Sequence, residues 1–191
     1  MMERDVITVV SGLPRSGTSM MMKMLVAGGM QALADHTRTA DESNPNGYFE
    51  FEGVKAIEAD SSWLHDARGK AVKIISALLK HLPAEHHYKV IFMRRKMEEV
   101  LASQKQMLIS NGGTDTGVSD ERMAEAFRRH VGAVESWLRG QPNLEVIYVD
   151  YNEALQSPAR HAAAIRQFLA APLDTTAMSA VIDQSLYRQR H

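Results

Sequence analysis

Arginines, small hydroxyl side chains and glycines set around a loop are the residues of this chain best suited to chemistry. They fall in three stretches. The first is Gly12-Leu-Pro-Arg-Ser-Gly17-Thr18-Ser19, which follows the β-branched run Val6–Val10 and precedes an apolar segment able to continue as a helix. Strand, glycine loop and helix in that order aim several backbone N–H groups at one point, at the positive end of a helix, and such a point holds phosphate. The spacing matches GxxxxGKS or GxxxxGKT with one departure: Thr18 stands where the lysine belongs, and the cation, Arg15, lies inside the loop. In the second stretch Arg95 precedes Ser103 by eight residues, with Arg94 beside it. On a helix that is about two turns, so a guanidinium and a hydroxyl can grip one anion from two sides. Taken alone, this segment also reads as a basic helix start with a solvated serine. The third stretch, from Asp35-His36-Thr37-Arg38 to Asn44-Pro-Asn-Gly-Tyr-Phe-Glu50, holds groups able to move a proton. Histidine as a residue type ordinarily titrates near neutrality, which makes His36 chemically able to take a proton. Glu50 is its equal rival, with Asp35 behind them, and a surface histidine or a helix-capping acid is the plain alternative for each.

The rest of the composition narrows the field. At 191 residues the chain fits one domain, 1–191, with one substantial core. Its formal net charge of -1 offers no bulk attraction for nucleic acid or an anionic membrane. The absence of cysteine excludes disulfides, thiolate catalysis and thiolate-bound metal. The N-terminus runs straight into the first strand, and no apolar run approaches the roughly 20 residues of a membrane span, so the expectation is a cytoplasmic protein. His86 and His87 read as exposed turn residues without a third metal ligand at suitable spacing. Trp63 reads as core.

These residues need a scaffold, and the pattern supplies one. Ser16–Gly28 reads as a helix whose Met20, Met21, Met24 and Leu25 face a sheet, ended by Gly28 and Gly29. Residues 34–47 are polar and turn-rich, a surface loop able to wall an acceptor site. A helical segment is expected from Val54 to about Leu64. Lys70–Ser76, Tyr88–Met93 and Leu144–Val149 read as the second, third and fourth strands. Lys96–Ile109 is helical with Met97, Val100, Leu101 and Leu108 on one face. Asp120 caps a long helix over Glu121–Leu138, and Gly140 and Pro142 end it. Tyr151–Ala171 is helical in pieces, with Pro158 in the first turn of the second piece, and Thr175–His191 is helical early. Alternating strands and helices predict an α/β, P-loop NTPase-like three-layer fold, a parallel sheet of about four to five strands covered on both faces. Ligands then bind beyond the carboxyl ends of the strands.

The loop residues Pro14–Thr18 read PRSGT. This resembles the 5′-phosphosulfate loop of sulfotransferases that use 3′-phosphoadenylyl sulfate (PAPS), in which PKSGT or PRSGT is common. Arg95 followed by Ser103 resembles the 3′-phosphate motif of the same family. Over Val149–Ala170, the residues Tyr151, Leu155, Pro158, Phe168 and Leu169 follow a family pattern, and Ala170 replaces its usual glycine. The resemblance implies in-line transfer of a sulfuryl group from PAPS to a hydroxyl or amine of a small-molecule or peptidyl acceptor, leaving 3′,5′-ADP, without a metal. It implies that Pro14, Arg15, Ser16, Gly17, Thr18 and Ser19 hold the 5′-phosphosulfate. Arg95 and Ser103 would hold the 3′-phosphate, with Arg94 as the alternate arginine. Arg15 would stabilise the departing oxygen and, always protonated, cannot be the base. The Lys-Thr-His pattern of cytosolic members is replaced by Lys73-Ile74-Ile75-Ser76. Counted from Gly12, His36 falls on the glutamate base of protein-tyrosine sulfotransferases. Glu50 closes a segment resembling the NPxGxxE pattern of some bacterial members, and Arg38 would touch the acceptor or the sulfonate. The family's C-terminal Arg-Lys-Gly motif is missing, and Arg188 and Arg190 are candidates to replace its contacts. Two rivals stand beside this reading. One is an ATP- and magnesium-dependent small-molecule kinase with Asp150 as its metal aspartate. The other is a non-catalytic nucleotide-binding module of the same fold.

Overall fold

A computed structural model describes residues 5–35, 49–110, 112 and 118–182. Among these residues, aliphatic runs form four strands: β1 (Val6–Gly12), β2 (Ala71–Lys73), β3 (His87–Arg94) and β4 (Leu144–Asp150). They lie in the order β2-β1-β3-β4, and every pairing is parallel. Ile7, Val9, Val10, Val90 and Ile91 are fully buried, which explains why the strands read as continuous apolar runs rather than alternating ones.

The helices cover both faces. Helix α1 (Thr18–Ala27) packs Met20, Met21, Met22, Met24 and Leu25 into one core with residues of α5 (Tyr151–Gln156), α6 (Pro158–Leu169) and α7 (Thr175–Ala180). The opposite core joins α2 (Leu64–Ala67), α4 (Asp120–Arg139) and two 3-10 turns, Glu52–Ala56 and Ser76–His81, to Ile7, Val9, Val72 and Phe92. Helix α3 (Met97–Ser110) leaves the end of β3 and packs beside α4. The chain runs from β1 to β2 on one side and then crosses to β3 on the other. The strand order therefore reverses at β1, and a crevice opens there beyond the carboxyl ends. Register sets its floor: Gly12 lies opposite Met93, so residues 13–17 and Arg95 leave adjacent strands at one level.

Several expectations need correction. The helix expected from Val54 to Leu64 is a 3-10 turn and the single turn α2. Asp60 interrupts it, because its side chain accepts from the Ser62 N–H at 2.9 Å, a local bond that competes with helix. Leu108 is 37 % exposed, and the inward face of α3 is Glu99, Val100 and Ser103, a polar choice explained by the site below. Ser119, not Asp120, caps α4, its side chain accepting from the Arg122 N–H. His87 opens β3. His86 is half-buried; burial, then the charge of Arg68, pushes its imidazole below the ordinary range. Trp63 packs edge-on against Phe51 in the second core.

Ala170 ends α6 in a left-handed conformation, with φ 54° and ψ 32°. The glycine it replaces in the family pattern fits such a cap without penalty, whereas a Cβ there costs about 1–2 kcal/mol. Part of that gain is offset by the greater freedom of glycine in the unfolded chain. Ala170→Gly should therefore stabilise the protein by about 0.5–1 kcal/mol and raise the melting temperature by roughly 1–4 °C. A variant melting at or below the parent contradicts this account of the cap.

Candidate active site at the end of the central strands

Beyond β1 the chain folds into a tight turn. The Ser16 N–H donates to the Leu13 carbonyl at 3.2 Å, and Ser16 Oγ donates to the same oxygen at 2.7 Å. Pro14 suits the second position of such a turn, and Arg15 occupies the third with φ 70°, a left-handed position that type II turns reserve for glycine. A bulky residue held there costs about 1–2 kcal/mol and persists only where the surroundings enforce it. Gly17 follows with φ 100° and caps α1. A Cβ on Gly17 would run into the Tyr151 ring, so the loop rests directly on the start of α5. Thr18 and Ser19 begin α1, placing the first-turn N–H groups at its positive end.

The side chains of the loop and of α3 converge. Arg15 Nε donates to Ser103 Oγ at 2.9 Å, and its Nη1 lies 4.0 Å from the Met107 sulfur. Arg95 Nη1 donates to the Arg15 carbonyl at 3.1 Å, and Arg95 Nε donates to Glu99 Oε2 at 2.8 Å. The Arg95 guanidinium lies over the Tyr151 ring, 4.4 Å from its centre, a cation–π contact. Asn152 Nδ2 donates to the other Glu99 oxygen at 2.8 Å. Burial raises the Tyr151 phenol above its ordinary range; Arg95 opposes that shift and Glu99 adds to it. The phenol is therefore neutral at physiological pH.

The structure thus brings together Arg15, Arg95 and Ser103, with Ser16, Gly17, Thr18 and Ser19 beside them and Pro14 exposed on the turn. It does not bring Arg94. That side chain turns to Glu135, at 2.7 Å, and lies 3.9 Å over the Tyr148 ring, so Arg95 is the arginine of the cluster. Glu50 meets Lys73 at 3.8 Å, and Lys73 is paired with Val10, two residues before the loop begins. The Asp35 carboxylate accepts from the Glu52 N–H at 2.6 Å. Asp150 caps α5, accepting from the Glu153 N–H. His36, Arg38, Arg188 and Arg190 lie outside the described residues. Among the described residues, no group of three or more histidines and carboxylates is placed to hold a metal ion. None of their helices is long and apolar enough to cross a membrane.

Sequence reasoning missed Glu99 and Asn152. Glu99 carried a signal, since it lies one helical turn after Arg95, where an acid pairs with a base. Asn152 carried none. A cavity of about 340 Å³ opens beside the loop, walled by Leu13, Ser16, Phe92, Arg95, Val131 and Glu135 among others.

The profile of the sulfotransferase domain family matches residues 4–189, nearly the whole chain. The chain belongs to this family. Solved sulfotransferase structures share the fold at low identity. A retinol dehydratase in complex with androsterone and the inactive cofactor PAP superposes with a TM-score of 0.55 at 14 % identity, covering 98 % of this chain and 67 % of that one. A mouse sulfotransferase complexed with PAP gives 0.54 at 16 %, covering 100 % and 68 %. The sulfotransferase domain from the curacin biosynthetic pathway gives 0.53 at 16 %, covering 90 % and 76 %. This sulfotransferase domain therefore spans about two thirds of the length of the first two. No curated protein sequence matches it significantly.

Proposed function

We propose that this sulfotransferase moves a sulfuryl group from PAPS to the hydroxyl or amine of a small acceptor and releases 3′,5′-ADP. The observation that carries this reading is the joining of Arg15, Arg95 and Ser103 into one hydrogen-bonded cluster beside the loop. The two anionic groups of PAPS hang from one ribose, and this donor set suits such a pair. Arg95 and Ser103 take the 3′-phosphate, while the N–H groups and hydroxyls of Ser16 to Ser19 cradle the 5′-phosphosulfate around Gly17. In the reaction an acceptor oxygen or nitrogen bonds to sulfur as the bond from sulfur to the phosphate oxygen breaks. Arg15 stabilises the charge that gathers on that departing oxygen. The acceptor's proton goes to a base, with Glu50 and His36 as the two candidates. A solved structure of the same fold holds androsterone together with the inactive cofactor PAP, which favours a small acceptor over a peptide.

The kinase alternative has no support. Thr18 stands at the lysine position, and Asp150 is engaged as a helix cap. The test is calorimetry with 3′,5′-ADP, 5′-ADP and ATP with magnesium. A single well-made charged contact to the 3′-phosphate should favour 3′,5′-ADP over 5′-ADP by about tenfold to a hundredfold, and Arg95→Ala should remove most of that preference. Equal binding of the two ADP isomers refutes the assignment of Arg95 and Ser103. In a labelled-PAPS transfer assay with acceptor pools, one of Glu50→Gln and His36→Ala should abolish most turnover. Parental rates in both would exclude both as the base.

A further inference from the structure

We infer that Glu99 and Asn152 are positioning residues that set the Arg95 guanidinium to receive the donor's 3′-phosphate, an inference that rests on the donor reading above. Glu99 is fully buried in the first turn of α3, one turn from Arg95, and Asn152 lies in the first turn of α5. The order of contacts is a relay. Asn152 holds one oxygen of Glu99, the other oxygen holds Arg95 Nε, and Arg95 Nη1 reaches the Arg15 carbonyl. The Tyr151 ring covers one face of the guanidinium. Position, tilt and rotation of the Arg95 fork are thereby set by three separate elements, and its Nη edge is turned toward the loop.

A carboxylate beside an anion site is, by charge alone, a hindrance. A buried ion pair is also weak evidence of a contribution to stability. Orientation is the property that this carboxylate supplies and an apolar residue could not, because arginine recognises phosphate through the direction of its fork as much as through its charge. The two accounts predict opposite signs. If only charge mattered, removing Glu99 would strengthen binding of the 3′-phosphate. If orientation matters, removing it weakens that binding.

The experiment is calorimetry on the full chain with 3′,5′-ADP and 5′-ADP. Glu99→Ala should lower the ratio of the two affinities by about tenfold, leaving 5′-ADP binding within about threefold of the parent. Glu99→Gln should restore the ratio to within about threefold, because its amide oxygen accepts from Arg95 Nε while its NH₂ donates to a turned Asn152 amide. Asn152→Ala, which keeps the carboxylate charge, should lower the ratio by about threefold. In an Arg95→Ala background, Glu99→Ala should change the ratio by less than about twofold, the mark of action through Arg95. A ratio unchanged or raised in Glu99→Ala, with a native circular dichroism spectrum, overturns the inference. So does an undiminished effect in the Arg95→Ala background. If Glu99→Ala does not fold, a parental ratio in Asn152→Ala overturns it instead. A parent that does not prefer 3′,5′-ADP defeats the donor reading itself and this inference with it. A parent that prefers it, beside an unaffected Glu99→Ala, leaves the donor reading intact.

Discussion

Arg15→Gly should abolish most sulfuryl transfer while leaving the protein about as stable as before. Arg15 donates to Ser103 and holds φ at 70°. Removing a preorganised cation from a departing oxygen costs about 10²–10³ in rate. The stability terms nearly cancel. Relief of the left-handed conformation returns about 1–2 kcal/mol, against about 1 kcal/mol for the lost side-chain hydrogen bond and about 0.5–1 kcal/mol for the added freedom of an unfolded glycine. The net lies within about 1 kcal/mol, so the melting temperature should stay within roughly 4 °C of the parent. Turnover measured with saturating acceptor, beside a thermal melt, checks both halves. A variant that loses activity only in proportion to its unfolded fraction would make Arg15 a structural residue.

Gly17→Ala carries the second large effect, and there stability and binding fail together. Gly17 has φ 100°, and a Cβ on it meets the Tyr151 ring. Left-handed strain and overpacking together should cost about 2–4 kcal/mol and lower the melting temperature by roughly 5–15 °C. Binding of 3′,5′-ADP should fall as well, since the displaced loop no longer aims its N–H groups at one point. The steric part of this argument is separable. In a cycle with Tyr151→Ala, the double variant should be less damaged than the sum of the singles by about 1 kcal/mol or more. Strict additivity would show that Tyr151 does not limit the loop.

The parts of the site that could be read from the chain alone were those dictated by backbone chemistry. The loop from Gly12 to Ser19 declares itself through glycines and a proline, whose conformational demands are local. The strands declare themselves through buried aliphatic runs. Arg95 and Ser103 were legible as a spacing, but their contact with Arg15 was not, because it spans separations of 80 and 88 residues. Glu99 showed in the sequence only as an acid one turn after Arg95, and its burial and its bond from Asn152, which arrives from another element, were not legible there. Arg94 and Arg95 are adjacent in sequence, so no spacing argument distinguishes them. The strand does so, by sending Arg94 to Glu135 and leaving Arg95 over Tyr151. The helix expected after Val54 failed for a local reason, since the side chain of Asp60 competes for the backbone. Leu108 failed because the inward face of α3 is made of Glu99, Val100 and Ser103, which breaks the apolar pattern there.

The relay of contacts through Arg15, Arg95, Glu99 and Asn152 has a bearing on biogenesis. Apart from the local pair of Arg95 and Glu99, its links join residues 80 and 53 positions apart, so they form only once the strands between them have paired. A fragment stopping before Asn152 would lack the last link whatever its helicity. On the donor reading proposed above, a nucleotide that needs this relay would bind the folded chain alone and so favour folding by mass action.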